Sequence, residues 1–132
     1  GQVMDGGFTP LHMACRNGYV EIVRLLLRAS AAVNQAGASG ATPLFIACKR
    51  GHVDIVRLLL EASAAVNQAK KSGATPLYIA CQNGHLECVR LLLEASAAVG
   101  QANARGTSPL YIACQQGHLE IVRLLLEASA AV

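Results

Sequence analysis

Apolar and polar positions recur in the same order four times along the chain, at a fixed spacing of 33 residues. In the second occurrence, Thr42 is a favourable helix N-cap, and Pro43 suits the first helical position because its missing N–H needs no partner there. The apolar residues that follow predict a helix ending at about Arg50, since Gly51 tolerates the left-handed conformation of a helix C-terminus.

A second helix is predicted from near Val53 to about Ala62, with a broad apolar stripe that includes three consecutive leucines. The polar, Gly-containing stretch 67–73 then predicts a projecting turn. One such helix pair cannot bury its own apolar stripe, whereas stacked copies can. We therefore predict an all-α solenoid of helix–turn–helix units with projecting β-turn or hairpin tips.

The four copies form one predicted domain, residues 1–132, with units at 1–33, 34–66, 67–99 and 100–132. No insertion or deletion interrupts the spacing, and the second and third units are identical at 25 of 33 positions. Units with this degree of sequence identity share a fold, so the positions that differ indicate where the surface is free to vary.

Composition and charge narrow the classes of function. The net charge is +3, Trp is absent and no dense run of basic residues occurs, which makes nucleic acid an unfavoured partner. No apolar run approaches the roughly 20 residues of a membrane helix. Five cysteines, an odd number, favour free thiols over a disulfide framework. With no secretory signal pattern at the start, we expect an intracellular location, in the cytoplasm or nucleus.

The repeated motifs resemble those of the ankyrin repeat family. They are Thr-Pro-Leu at the start of the first helix, Ala-Cys within it, Gly-His between the helices and Val-Arg-Leu-Leu-Leu in the second helix. The resemblance covers essentially the whole chain. It implies a stack of ankyrin repeats that binds other proteins through a concave surface of turn tips and first helices, with no cofactor.

The sequence departs from the family pattern at the end of each second helix. Ser30, Ser63, Ser96 and Ser129 stand where the family usually has Gly. A serine with positive φ costs up to about 1 kcal/mol relative to Gly; alternatively, the helix end is remodelled. At the turn, Gly37, Lys70 and Asn103 replace the usual Asp, and the His of Thr-Pro-Leu-His remains only as His12.

Neither terminal unit carries the polar outer face that usually caps such arrays, because both second helices stay apolar. Three interpretations remain open. The chain is a segment of a longer array, an engineered consensus-like array, or a protein that covers its ends by self-association.

The candidate partner-binding residues lie at the turn tips and on the first helices, where neighbouring units differ most. They are Asp5, Phe8, His12, Arg16 and Asn17 in the first unit; Ala38, Ser39, Phe45, Lys49 and Arg50 in the second; Lys70, Lys71, Tyr78, Gln82 and Asn83 in the third; and Asn103, Arg105, Thr107, Tyr111, Gln115 and Gln116 in the fourth. The alternative is that these are ordinary solvated positions that vary neutrally.

Charge is unevenly divided between the two helix layers. The tips and first helices hold six cations and one acid, whereas the second helices hold five arginines and seven acids. We therefore expect a partner with an acidic surface and binding that weakens as salt rises.

His12, Phe45, Tyr78 and Tyr111 occupy equivalent positions and are expected to form a ladder. Rings of this kind are frequent interface anchors, but they equally suit packing between adjacent repeats.

The recurring Cys-His pairs, such as Cys48 and His52, are spaced by four residues, but Gly51 interrupts the helix between them. Each unit offers two ligands where zinc needs four, and no orienting acid recurs for nucleophilic catalysis. We predict that the cysteines are core residues, that the histidines bridge turns by hydrogen bonds, and that the chain is not an enzyme.

Overall fold

The computed structural model describes residues 7–130, and for Ala130 it describes the backbone alone; Asp5 therefore lies outside the described residues. The helices are α1 (Pro10–Asn17), α2 (Val20–Arg28), α3 (Pro43–Arg50), α4 (Val53–Glu61), α5 (Pro76–Asn83), α6 (Leu86–Glu94), α7 (Pro109–Gln115) and α8 (Leu119–Ala130). Within residues 7–130 there are no strands. The predicted all-α solenoid is confirmed.

The first helix of each pair begins at a hydroxyl cap. Thr42 Oγ1 accepts a hydrogen bond from the Phe45 amide at 3.2 Å, and Thr75 Oγ1 accepts one from the Tyr78 amide at 3.1 Å. In α1 the bond is reciprocal, since His12 Nδ1 also accepts from the Thr9 amide at 3.0 Å. These bonds satisfy amides that have no partner within the helix.

The helices form two layers. The first helices (α1, α3, α5, α7) pack side by side, and the second helices (α2, α4, α6, α8) form a parallel layer behind them. Contacts are denser within the first layer than within the second, so the stack curves with the first helices on its concave side. Predicted boundaries such as Pro43 to Arg50 agree with the structure.

The core lies between the two layers and runs continuously from unit to unit. Leu44, Cys48, Ile55 and Leu59 are at most 1% exposed in the second unit, and their equivalents fill the same space in the third. This is the one-dimensional core that stacking was predicted to create.

The projecting tips are hydrogen-bonded turns that also bond to one another. In the second tip, the Gly73 amide donates to the Lys70 carbonyl at 2.8 Å. The Lys71 amide donates to the Ser39 carbonyl of the preceding tip at 2.9 Å, and the Ala104 amide donates to Ser72 in the same way. The tips therefore extend the concave surface as one connected row.

Candidate protein-binding surface

The concave surface combines the outward sides of the first helices with the row of tips. Most of the predicted contact residues are exposed on it. They are Arg16, Asn17, Ala38, Ser39, Lys49, Arg50, Lys71, Asn83, Arg105, Tyr111, Gln115 and Gln116. A second group is partly buried but reaches the same surface, namely Phe8, Lys70, Gln82, Asn103 and Thr107.

Three predicted contact residues are not available to a partner, because the structure buries them between units. His12 is 0% exposed, Phe45 3% and Tyr78 8%. His12 Nε2 bonds the Ala41 carbonyl of the next unit at 3.0 Å. Burial lowers the pKa of the His12 imidazole, partly offset by this bond. The ladder therefore serves packing, which was the alternative reading of these positions.

Tyr111 is the exception in this ladder, with 61% of its surface exposed. It occupies the same position in its helix as Phe45 and Tyr78, but no unit among residues 7–130 lies on its outer side. Exposure at this position is thus set by location in the stack and not by the residue type.

Two polar candidate residues form hydrogen bonds with backbone groups of the protein itself. Asn103 Oδ1 accepts hydrogen bonds from the amides of Arg105 and Thr107, both at 3.0 Å, which fixes the tip. Asn83 Nδ2 donates to the Lys49 carbonyl at 3.1 Å, which ties α5 to α3. These side chains keep part of their surface for a partner, but their positions are fixed by the fold.

Charge separates cleanly between the two sides of the solenoid. Each second helix carries an ion pair three residues apart, such as Arg24 with Glu21 at 3.2 Å and Arg57 with Asp54 at 3.4 Å. Within residues 7–130, every acid lies on a second helix, and the cations of the concave surface take part in no ion pair. The convex side thus pairs most of its arginines with acids and holds a small excess of acids, whereas the concave side presents unpaired positive charge.

Buried aromatic rings lie beneath the same surface and contact residues that reach it. The Phe8 ring stacks on the His12 imidazole, with centroids 5.0 Å apart and planes 4° from parallel. Lys70 Nζ lies 5.1 Å from the centroid of the Phe45 ring, within range of a cation–π interaction. The second contact orders a tip lysine without neutralising its charge.

The Cys-His pairs have separate structural roles. His52 Nε2 bonds the Arg16 carbonyl at 3.2 Å, and His85 Nε2 bonds the Lys49 carbonyl at 3.0 Å, so these histidines bridge units as predicted. All five cysteines are free, and burial raises the pKa of the Cys15 and Cys81 thiols to about 12. Cys88 is fully buried, as predicted, whereas Cys114 is exposed.

Neither a metal cluster nor a membrane helix is found in the described part of the chain. No group of three or more potential ligand side chains there could hold a metal ion. Within residues 7–130, no helix has the length and apolar content needed to cross a bilayer.

The stacked helix pairs and their concave surface define a helical repeat scaffold. The chain belongs to the ankyrin repeat family: the family model for ankyrin repeats (3 copies) matches residues 1–70 and 63–132. Members of this family serve generally as protein–protein interaction domains and not as enzymes.

Two curated proteins share short stretches with the chain. It is 60% identical over 35 residues to the probable E3 ubiquitin-protein ligase XBOS32 of Oryza sativa subsp. japonica, which is 26% of this chain and 7% of that protein. It is 58% identical over 31 residues to the E3 ubiquitin-protein ligase XBAT32 of Arabidopsis thaliana, which is 24% of this chain and 6% of that protein. The chain thus matches less than a tenth of the length of either relative.

Proposed function

We propose that the chain is a non-enzymatic scaffold that binds a protein partner with an acidic surface through its concave side. The observation that carries this proposal is the separation of charge between the two sides. Lys49, Arg50 and Lys71 are exposed on the concave side with no ion-pair partner among the described residues. Complementary charge steers association and selects among partners.

The family supports protein binding in general, since ankyrin repeats bind protein partners, and the choice of the concave side rests on the charge. The relatives' names describe ubiquitin ligases, but the matched stretches cover a small part of each, so we assign no ligase chemistry to this chain. Free thiols favour a reducing compartment, and we place the protein inside the cell.

The test is quantitative affinity capture from an intracellular extract with three forms of the chain. One form carries Lys49→Glu, Arg50→Glu and Lys71→Glu on the concave side. The control carries Arg57→Glu, Arg90→Glu and Arg123→Glu on the convex side, which changes the net charge equally. We expect the concave form to lose the partners that the native chain retains at low salt, and the convex control to keep them.

Rising salt should release the same partners, because exposed charges more than about 8 Å apart are largely screened at 0.15 M salt. A set of partners that withstands both high salt and concave charge reversal would show that the contact surface lies elsewhere. Loss of partners in both variants would point instead to a general effect of net charge.

A second candidate function is self-association through the ends of the stack. Ile22 is 47% exposed, whereas its equivalents Ile55 and Cys88 are fully buried against the preceding unit. At the other end, Tyr111 and Leu126 are exposed at 61% and 51%. Head-to-tail stacking would cover both faces. The junction between two chains would lack the hydrogen bond that His52 makes to the preceding unit, since Tyr19 stands at the equivalent position in the first unit. We therefore rank self-association second.

A further inference from the structure

A small cavity opens on the concave surface between α1 and α3. It has a volume of about 210 Å³ and is lined by Phe8, Arg16, Ile46, Lys49 and Arg50. Sites for drug-sized ligands measure roughly 300–1,000 Å³, so this cavity suits one or two side chains of a larger partner.

The lining pairs an apolar floor with a cationic rim. Ile46 is buried and Phe8 is partly buried and held by its stacking on His12, whereas the three cations are exposed. A carboxylate seated beside an apolar wall interacts more strongly with cations than one in open water, because the local dielectric is lower. The guanidinium groups of Arg16 and Arg50 can each donate two parallel bonds to a carboxylate.

These cations are not needed to end their helices. Basic residues near a helix C-terminus interact favourably with the helix dipole, which is an ordinary structural role for Arg16, Lys49 and Arg50. Yet α5 ends at the same left-handed glycine cap as α1 and α3, with neutral amides at these positions, Gln82 and Asn83. The fold therefore does not require positive charge at this place.

The concave surface therefore differs in charge between the two ends of the stack. The first-helix ends are cationic in the first and second units and carry neutral amides in the third and fourth, at Gln82, Asn83, Gln115 and Gln116. An extended segment lying along this surface meets a charge-selective region at one end and a hydrogen-bonding region at the other.

We propose that the cavity between α1 and α3 binds an acidic side chain of an extended protein segment, with a neighbouring apolar side chain of that segment packed on Phe8 and Ile46. This inference rests on the proposed function, because it names the part of the concave surface that selects the acidic partner. The acidic end of the segment lies on the first two units, and its neutral polar groups lie along the amides of the last two.

The experiment uses two labelled peptides, one rich in Asp and Leu and one with Asn in place of every Asp, and measures fluorescence anisotropy at physiological salt. The cavity variant carries Arg16→Gln, Lys49→Gln and Arg50→Gln, which introduces the residue type of Gln82 and Gln115. The matched control carries Arg57→Gln, Arg90→Gln and Arg123→Gln, with an equal loss of charge. Circular dichroism confirms that all forms fold.

We expect the native chain to prefer the Asp peptide and the cavity variant to bind it roughly tenfold more weakly, from the loss of three exposed charge contacts. The convex control should bind like the native chain. Amide NMR shifts caused by the Asp peptide should centre on Phe8, Ile46 and the C-terminal turns of α1 and α3.

Three results would overturn the inference. They are no binding of the Asp peptide, equal binding of both peptides, and unchanged binding by the cavity variant. If binding survives in the cavity variant but is lost with Lys70→Gln and Lys71→Gln, the acid-selective site lies at the tips, and the proposed concave function stands without this cavity. If NMR shifts map to the second helices, the concave function itself fails.

Discussion

Ser63 adopts a backbone conformation that serine rarely takes. Its φ is +66°, in the left-handed region, and Ser30 and Ser96 match it at +64° and +66°. The amide of Ser63 donates to the Leu60 carbonyl and the amide of Ala64 donates to the Leu59 carbonyl, both at 3.0 Å. This pair of bonds is the Schellman arrangement, in which Gly is the favoured residue. Positive φ was one of the two outcomes expected from the sequence.

The variant Ser63→Gly should be more stable than the native chain. Glycine adopts positive φ without the steric penalty of a Cβ, and we expect a gain of up to about 1 kcal/mol in the free energy of unfolding. The control is Ser129→Gly, because Ser129 lies in the last turn of α8 without positive φ, so glycine relieves no strain there and should not raise stability. Urea denaturation of both variants gives the comparison; shifts of the same sign would contradict it.

At the scale of the element, a glycine at the junction between the two helices of a unit lies close to a histidine ring of the next unit. Gly51 has φ of +75°, and a Cβ built there would lie 2.6 Å from Nδ1 of His85 in the next unit. The same histidine bonds the Lys49 carbonyl through Nε2 at 3.0 Å. Glycine is therefore required at this position for two reasons, its backbone conformation and the space that it leaves for a ring.

Gly117 has the backbone conformation of Gly51 without the close contact, so comparing the two measures each effect separately. Its φ is +74°, almost equal to that of Gly51, but a Cβ there would meet no atom within 4 Å. Gly117→Ala should therefore cost about 1–2 kcal/mol from the backbone alone. Gly51→Ala should cost a further 1–3 kcal/mol or so, because the ring must move and its hydrogen bond is strained. Equal losses in urea denaturation would show that the histidine bridge contributes little.

Most helix boundaries follow from local signals in the sequence. Thr42, Pro43 and Gly51 mark the ends of α3, and the structure places them as predicted. The end of α8 could not be predicted in this way, because identical sequences behave differently. Residues 62–64 turn after α4, whereas the same three residues at 128–130 continue α8. Local propensity alone therefore does not decide this boundary.

Hydrogen bonds between units accompany the turns after α4 and α6. Asn34 Oδ1 accepts a hydrogen bond from the Ala65 amide at 2.8 Å, and Asn67 Oδ1 accepts one from Ala98 at the same distance. These bonds hold the loops that follow α4 and α6 against the preceding loop. At the equivalent position Gly100 offers no side-chain acceptor. The bond alone does not decide the boundary, since α2 ends in the same turn at Ser30 although its equivalent of Asn34 is Gly1.

The candidate surface, like the fold, could be predicted in outline because the units repeat one sequence pattern. Exposed tip and helix-end residues such as Lys49 and Lys71 could be found from differences between units, because the shared backbone puts variable positions outside. The burial of Phe45 and Tyr78 could not be predicted, because aromatic rings are also common at interfaces. The cavity was missed because it joins Phe8 to residues of a different unit.

At the scale of the whole molecule, the two ends of the stack differ from its middle in what they leave exposed. Tyr19, Ile22 and Leu25 are exposed at one end, and Tyr111, Leu119 and Leu126 at the other. Equivalent positions in the second and third units are covered by a neighbour. Clusters of exposed apolar side chains favour association, and a solenoid offers complementary faces because each interface repeats the last.

If the ends stack head to tail, the mass measured by light scattering should rise above the 13.8 kDa of one chain as the concentration increases. Tyr111→Lys places a charge in the predicted junction and should lower the mass at every concentration. Ala38→Lys adds the same charge at an exposed tip, where Lys71 is the equivalent residue, and should leave association unchanged. Because a heterologous contact between unlike faces does not close on itself, growth should continue beyond the dimer. A mass that stays at one chain throughout would exclude stacking and leave the concave surface as the functional one.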